Sequence, residues 1–234
     1  MNRNHLDMKN FHQKDNMERK TIVIFGGTGG LGKQLVNYFS EPEYRVIALG
    51  SKSVDITDFE AVHKFFDTTN VDIVINMSGY NYNSPIHKYN KSNIDEITKQ
   101  TNVVINGTMN ILASCLPQMR LNGYGRIILT SSILSSKPVF GTSVYAGCKA
   151  FMDNLIKTVT VENLSKGITC NSLQLGYMDG GLTYEVPEPF ITNVKNSIPL
   201  KRWGTASEIA NAIQYFINTE YTSGHAMKIN GGLD

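Results

Sequence analysis

Short runs of apolar residues alternate with longer amphipathic segments along most of the chain, beginning near Thr21. The short runs are rich in valine and isoleucine, as buried parallel strands are, and read TIVIF, YRVIAL, VDIVIN, GRIILTS and GITCNSLQL. The longer segments have helical spacing and cover residues 31–39, 58–66, 94–119, 145–164 and 206–217. This alternation predicts an α/β fold, a doubly wound and mostly parallel sheet of about seven strands with helices on both faces.

The length and composition predict one domain. The chain has 234 residues and contains no linker rich in proline or serine, no low-complexity segment and no repeat. We therefore expect a single domain over residues 18–234. Residues 1–17 are polar and lack the apolar core of a signal peptide, so we predict a disordered leader there. No apolar run is as long as a membrane span.

Charge and cysteine content exclude several classes of function. A net charge of +2 with no basic run argues against a nucleic-acid or membrane-surface partner. Cys115, Cys148 and Cys170 are widely spaced and form no C-x-x-C motif. We expect them to be reduced thiols in a cytoplasmic protein, with no disulfide framework and no metal site.

A glycine-rich turn follows the first predicted strand directly. Its sequence is GGTGGLG, from Gly26 to Gly32, and it opens the first predicted helix. Glycines in this position let the backbone approach a pyrophosphate, which then lies at the positive end of the helix. The strand–turn–helix context favours dinucleotide binding over a purely structural turn.

The residues after the second predicted strand bear on which dinucleotide is bound. A carboxylate there would accept hydrogen bonds from the ribose hydroxyls of NAD, whereas a cation and hydroxyls suit the 2′-phosphate of NADP. Gly50 stands where the carboxylate would be, and Ser51, Lys52 and Ser53 follow it. The sequence therefore favours NADP(H) over NAD(H), while Lys52 also fits a solvated loop.

The stretch SVYAGCK places a phenol and an ammonium on one face of a predicted helix, because Tyr145 and Lys149 lie four residues apart. Such a pair arises by chance in a chain rich in both residues. Here, however, Ser132 ends a predicted strand thirteen residues before Tyr145, and the chain carries the glycine-rich turn. In this combination the sequence resembles the short-chain dehydrogenase/reductase family, in its single-domain ketoreductase form, from Thr21 to the C-terminus.

The resemblance implies a Rossmann-type fold, a homodimer or homotetramer, and a set of cofactor contacts. The glycine-rich turn matches the family's G-x-x-x-G-x-G fingerprint, VDITD resembles the segment that faces the adenine, and NMSG resembles the family's N-N-A-G. The implied cofactor-binding residues are Gly26, Thr28, Gly30, Leu31, Gly32, Ser51, Lys52, Asp55, Ile56, Asn76, Ser78, Gly79, Tyr145, Lys149 and Met178.

The resemblance also implies three catalytic residues, Ser132, Tyr145 and Lys149. Tyr145 would act as the general acid in reduction and as the base in oxidation. Because an unperturbed phenol has a pKa near 10, the ammonium of Lys149 would have to stabilise its phenolate; Lys149 would also hold the nicotinamide ribose. Ser132 would donate a hydrogen bond to the substrate oxygen.

The chain departs from the family pattern in its long fourth-region helix. Counting back from Ser132 without gaps places Val104 where the family has an asparagine that holds a water for proton relay, and Asn102 and Asn106 flank it. Three explanations stay open: the relay differs, a local helix distortion brings one asparagine in, or activity is low.

Two further departures concern the cofactor end. Gly180 replaces the threonine that often contacts the nicotinamide carboxamide, a contact that Thr183 or the backbone of Met178 would then make. The link GSKSV joins the second predicted strand to the third with no helix between them. Such a compact link is more typical of the sugar-nucleotide-modifying members of the family.

Two segments are expected to form the substrate end. Residues 177–201 would cover the substrate and carry Tyr184, Pro187, Pro189 and Phe190. The opposite wall would be supplied by GYNYNSPIHKYN, with Tyr80, Asn81, Tyr82, Asn83 and His87. This cluster is equally compatible with a polyol site and with a polar surface loop.

The leading hypothesis is an NADP(H)-dependent oxidoreductase that reduces a small carbonyl compound, or oxidises the alcohol, with a 3-oxoacyl compound or a keto-sugar as substrate. The alternative is a non-catalytic dinucleotide-binding sensor on the same fold. Val104 and Gly180 favour the sensor. Ser132, Tyr145 and Lys149 favour the enzyme, because a pure binder has no need of the serine.

Overall fold

The computed structural model describes residues 19–40, 42–185 and 188–233. Within them, a parallel sheet of six strands has the order β2-β1-β3-β4-β5-β6. The strands are β1 (Lys20–Phe25), β2 (Tyr44–Leu49), β3 (Ile73–Asn76), β4 (Gly125–Ser132), β5 (Ile168–Leu175) and β6 (Ala226–Ile229). The leader predicted over residues 1–17 lies outside the described residues.

Helices connect the strands on both faces of the sheet. They are α1 (Gly30–Phe39), α2 (Phe59–Thr68), α3 (Ile94–Thr101), α4 (Gly107–Asn122), α5 (Ser143–Asn163), α6 (Glu188–Ser197) and α7 (Ala206–Asn218). A π-helical segment, Asn102–Asn106, joins α3 to α4, so that residues 94–122 run as one interrupted helix. The predicted doubly wound α/β fold is confirmed.

Alternation of side chains along the strands produces two cores. Val23 and Val74 point to the face covered by α2, α4 and α5, whereas Ile22 and Ile73 point to the face covered by α1 and α7. Because both faces are covered, every residue of β5 is buried. The same burial explains why the strands read as continuous apolar runs in the sequence.

The described residues form six strands, one fewer than the number of about seven that the sequence predicted. After β2, the Ser53 hydroxyl donates to the carbonyl of Gly50 at 2.8 Å and accepts from its amide at 3.0 Å, which closes a tight turn. A parallel neighbour beyond β2 would need a crossover of a dozen or more residues. The link GSKSV is too short for one, so the chain passes straight to Asp55 and α2, and β2 is an edge strand.

Candidate active site

A cleft of about 1010 Å³ opens at the carboxyl ends of β1, β3 and β4. The order of the strands changes direction at this point, because β2 lies on one side of β1 and β3 lies on its other side. Ligands of open α/β sheets bind at such a switch point. The fold therefore places the site at the end of the sheet where the glycine-rich turn and the Ser–Tyr–Lys residues both lie.

The glycine-rich turn forms a cradle that side chains would fill. A Cβ atom at Gly32 would lie 2.1 Å from the carbonyl oxygen of Gly26, so α1 approaches the turn as closely as backbone allows. Gly26 has φ +76°, and a Cβ there would lie 2.9 Å from the backbone of Met77. Gly29 faces open space at the N-terminus of α1, whose first turn carries no acidic side chain. The cradle fits a pyrophosphate.

Hydroxyl groups occupy the place after β2 where a carboxylate would select NAD. A Cβ atom at Gly50 would lie 2.1 Å from the Oγ1 of Thr28, so the threonine side chain covers this glycine. Thr28, Gly50 and Ser51 line the cleft, whereas Lys52 is exposed and does not. Of the side chains predicted for this subsite, Ser51 therefore lines the cleft, whereas Lys52 and Ser53 do not.

The segment after the tight turn lines the cleft where the family resemblance would place the adenine. One carboxylate oxygen of Asp55 accepts from the backbone amide of Thr57 at 2.9 Å and from its hydroxyl at 2.8 Å. Ile56 is buried, and its carbonyl accepts from the side-chain amide of Asn110 at 2.9 Å. Asp55 and Ile56 both line the cleft, as the resemblance implied.

Asn76 lies beneath the cleft and does not line it. This side chain is 2% exposed; its amide donates to the Thr108 hydroxyl at 3.1 Å, and its carbonyl accepts from the Ser78 amide at 3.0 Å. Ser78 and Gly79 themselves line the cleft. Asn76 therefore ties β3 to α4 and orients the turn that reaches the ligand.

Ser132, Tyr145 and Lys149 come together on one wall of the cleft. Ser132 ends β4, and its hydroxyl oxygen accepts from the amide of Leu134 at 3.2 Å. The ammonium of Lys149 donates to the carbonyl of Thr130 at 2.6 Å and lies 5.6 Å from the centroid of the Tyr145 ring. Packing of α5 on β4 and β5 thus brings strand-end and helix side chains to the same point.

Burial controls the charge of Lys149. The side chain is 3% exposed, and this burial lowers its pKa from 10.5 to about 8, which Cys148 and Asp153 oppose only in part. A charged ammonium is disfavoured where water is excluded. Lys149 is therefore still largely protonated at pH 7 but loses its proton under mildly alkaline conditions.

A π-helical segment brings one of the two asparagines that flank Val104 to the cleft wall. Val104 is 2% exposed and packs in the core, whereas Asn102 lines the cleft and accepts a hydrogen bond from the side-chain amide of Asn106 at 2.9 Å. A π-helical turn holds an extra residue, so faces assigned by uninterrupted counting shift. Of the three explanations left open, the structure contains the local helix distortion, and it places Asn102 rather than Val104 on the cleft wall.

One polar face of α3 also lines the cleft, and the sequence reasoning missed it. Asp95, Thr98, Lys99 and Asn102 all lie on the cleft wall. Their spacing of i, i+3, i+4 and i+7 is that of a single helical face. This spacing was the available signal, but polar helical faces are ordinarily exposed to solvent.

The segment after β5 packs against the glycine-rich turn. A Cβ atom at Gly30 would lie 3.1 Å from the Cα of Gly181, and Gly180 has φ +138°. The amide of Met178 donates to the Thr183 hydroxyl at 3.0 Å. Met178, Gly180, Gly181 and Thr183 all line the cleft. Thr183 therefore reaches the region that Gly180 leaves without a side chain.

The two predicted substrate segments contribute unequally. Of the residues proposed for the opposite wall, Tyr80 lines the cleft, whereas Asn81, Tyr82, Asn83 and His87 do not. Tyr184 is 69% exposed and donates to Asp179 at 2.9 Å outside the cleft. Pro187 lies outside the described residues, as does the side chain of Phe190.

The described part of the chain also bears on metal ligands, cysteines and membrane-spanning helices. Its histidine, cysteine and carboxylate side chains include no group of three or more that could hold a metal ion. Cys115, Cys148 and Cys170 are free and buried. None of the helices described is long and apolar enough to cross a membrane.

Known proteins resemble this chain over most of its length. A family model described as enoyl-(acyl carrier protein) reductase matches residues 38–234. Nodulation protein G of Azospirillum brasilense is 27% identical over 247 residues, covering 93% of this chain and 99% of that protein. The acetoacetyl-CoA reductase of Allochromatium vinosum is 25% identical over 244 residues, covering 92% and 98%. A solved small-chain dehydrogenase in complex with NADPH has a TM-score of 0.81 at 22% identity, covering 92% and 99%.

These matches and the build of the cleft define an oxidoreductase that acts on a carbonyl or alcohol group with a nicotinamide dinucleotide. The chain belongs to the short-chain dehydrogenase/reductase family. The fold and enzyme class predicted from the sequence are thereby confirmed.

Proposed function

We propose that the protein is an NADP(H)-dependent ketoreductase in which Ser132, Tyr145 and Lys149 are the catalytic residues. One observation carries this proposal: the three side chains converge on a cleft whose other end is a glycine cradle shaped for pyrophosphate. The bound dinucleotide supplies the hydride, and the chain supplies orientation and the proton.

Each catalytic side chain has a distinct task. Tyr145 holds a proton on its phenol oxygen and donates it to the substrate oxygen during reduction. Lys149 is held by the carbonyl of Thr130, so its ammonium stays beside the phenol and stabilises the phenolate that remains. The Ser132 hydroxyl accepts from Leu134, which leaves its own O–H free to donate to the substrate oxygen.

NADP(H) is the proposed cofactor in preference to NAD(H). The support is the hydroxyls of Thr28 and Ser51 and the absence of a side chain at Gly50. Hydroxyls donate to a 2′-phosphate, and the carboxylate that would repel it is missing. The similar dehydrogenase that was solved with NADPH agrees with this choice.

A 3-oxoacyl compound is the favoured substrate class. The relative from Allochromatium vinosum is named for the reduction of acetoacetyl-CoA, which is such a compound. One argument for a keto-sugar was a cluster of tyrosine and asparagine, and of the residues named in it Tyr80 alone lines the cleft. The sensor alternative loses the support of Val104 and retains only that of Gly180.

The proposal includes a homodimer or homotetramer in the cytoplasm. Leu121 and Val161, on the long helices α4 and α5, are 88% and 83% exposed, which supports a further apolar contact there. The three free cysteines support a reducing compartment.

The test is NADPH oxidation against acetoacetyl-CoA, longer 3-oxoacyl thioesters and keto-sugars. Tyr145→Phe should lower kcat by at least about a hundredfold, because general acid catalysis is typically worth 10²–10⁴-fold. Its affinity for NADPH should stay within about threefold of wild type, since the phenol oxygen acts on the substrate. Tyr221→Phe, at a fully exposed tyrosine, is the matched control and should retain full turnover.

Tight NADPH binding without turnover of any thioester or sugar, by wild type and by Tyr145→Phe alike, would overturn the ketoreductase and favour the sensor. Turnover of keto-sugars alone would overturn the substrate class and keep the catalytic residues.

A further inference from the structure

The polar face of α3 brings a second cation to the cleft. Among the described residues that line the cleft, Lys99 and Lys149 carry the positive charges, and Asp55 and Asp95 the negative ones. Lys149 is buried and donates to a strand carbonyl within the catalytic cluster. Lys99 is exposed at the cleft wall, so its charge is available to a ligand.

An aromatic ring holds the ammonium of Lys99. Its Nζ lies 4.2 Å from the centroid of the Tyr80 ring, and the Tyr80 hydroxyl donates to the carboxylate of Glu96. The ion pairs within 4.0 Å in the described part of the chain all join other residues, so none of its carboxylates lies that close to the ammonium of Lys99. A cation–π contact orients a lysine without cancelling its charge.

The rest of the cleft lacks a cation for the phosphates of a dinucleotide. The glycine-rich turn offers backbone amides and the end of a helix, and Gly29 has no side chain to offer. Lys52 does not line the cleft. A dinucleotide with two to three phosphate groups would therefore meet Lys99 as the one exposed cation among the described cleft-lining residues.

We propose that Lys99 binds a phosphate group of the dinucleotide from the α3 wall of the cleft, with Tyr80 positioning its ammonium. This inference rests on the proposed function, because it presupposes that the cleft takes a nicotinamide dinucleotide. The phosphate is either in the pyrophosphate or on the 2′-hydroxyl, and the two sources give different results with NADH.

The test compares Lys99→Met with Lys91→Met. Both changes remove one exposed lysine from the same region, but Lys91 does not line the cleft. The dissociation constants of NADPH and NADH are measured by titration of nicotinamide fluorescence, at low and high salt. Thermal unfolding without ligand checks that both variants fold, which their exposed positions lead us to expect.

Lys99→Met should weaken NADPH binding about tenfold at low salt, and Lys91→Met by less than about twofold. The difference should shrink at high salt, because exposed charges are screened. An equal loss for NADPH and NADH assigns the contact to the pyrophosphate, and a loss confined to NADPH assigns it to the 2′-phosphate. Lys99→Arg should restore most of the affinity in either case.

Two results would overturn the inference. Equal affinities of the two methionine variants, with wild type binding tightly, would exclude Lys99 as a phosphate ligand and leave the proposed function intact. A wild-type protein that binds neither dinucleotide would remove both proposals together.

Tyr80 provides an independent check of the positioning. Tyr80→Phe keeps the ring beneath the ammonium and should bind NADPH nearly as wild type does. Tyr80→Leu removes the ring and should give part of the loss seen with Lys99→Met. Equal affinities of the phenylalanine and leucine variants would exclude a positioning role for the ring.

Discussion

At the scale of single residues, the proposed catalytic site is assembled at the expense of stability. Lys149 is nearly inaccessible to water, and its ammonium donates a hydrogen bond to the carbonyl of Thr130. Burial lowers its pKa to about 8, which means that the charged side chain is less stable in the folded protein than in water. The sequence could identify this lysine by its spacing from Tyr145, but its desolvation depends on packing that no motif encodes.

Replacement of Lys149 by methionine should therefore separate stability from activity. We expect Lys149→Met to raise the free energy of unfolding by about 2 kcal/mol at pH 7 without cofactor, because one pKa unit is worth about 1.4 kcal/mol and the lost hydrogen bond offsets part of the gain. Turnover should be abolished. Urea unfolding of both proteins measures the difference.

The difference in stability between Lys149→Met and the wild type should depend on pH, because burial lowers the pKa of Lys149. The folded-state pKa of Lys149 lies below its ordinary value, so the cost of the buried charge is fully present below about pH 8 and is relieved as the folded protein loses the proton. The stability gained in Lys149→Met should therefore shrink by about 1 kcal/mol between pH 7 and pH 9. A difference that grows with pH would contradict the assigned cause.

At the scale of elements, the sequence predicted the regular helices and strands well, and it left the interruption of the long helix as one of three open explanations. The expected helix over 145–164 is α5, and the expected strand GITCNSLQL is β5 with one residue fewer. The helix expected over 94–119 is instead broken into α3, a π-helical segment and α4. Apolar periodicity reports which face is buried, but it does not reveal where a turn holds one extra residue.

The π-helical segment should make Asn102 and Val104 respond in opposite ways. Asn102→Val should lower kcat by about tenfold or more with little change in stability, because it removes a polar group from the cleft wall. Val104→Asn should cost about 2–3 kcal/mol of stability, because it places an amide among apolar side chains. Urea unfolding and steady-state kinetics on both variants measure these effects.

The kinetics of these two variants decide whether position 102 or position 104 carries the proton relay. If Val104→Asn raised kcat and kept the stability of the wild type, position 104 would be the relay position, as counting along an uninterrupted helix predicts. Full activity of Asn102→Val would exclude Asn102 as a relay residue.

At the scale of the whole molecule, the sheet determines which predicted residues meet. Strand order brings the carboxyl ends of β1, β3 and β4 together, so the glycine-rich turn and Ser132 share one cleft although about a hundred residues separate them. The residues of α3 could not be assigned to that cleft from sequence, because their face is fixed by how the interrupted helix packs on the sheet.

Cofactor binding should stabilise the whole fold and discriminate between the two dinucleotides. A ligand at a hundred times its Kd adds about 2.7 kcal/mol to the free energy of unfolding. At equal concentrations we expect NADPH to raise Tm more than NADH, and Ser51→Ala to reduce the difference. Calorimetry or thermal-shift measurement tests this, and a larger shift with NADH would contradict the NADP(H) preference.

The tight turn after β2 has a consequence for how this fold tolerates changes in length. Gly50 and Ser53 close the turn with hydrogen bonds of their own, and Ser51, Lys52 and Ser53 are exposed. Exposed tips closed in this way accept insertions best, because no buried contact has to be broken. The turn is therefore the place where this scaffold can be extended, by a grafted loop or even a further strand, while Ser132, Tyr145 and Lys149 keep their positions.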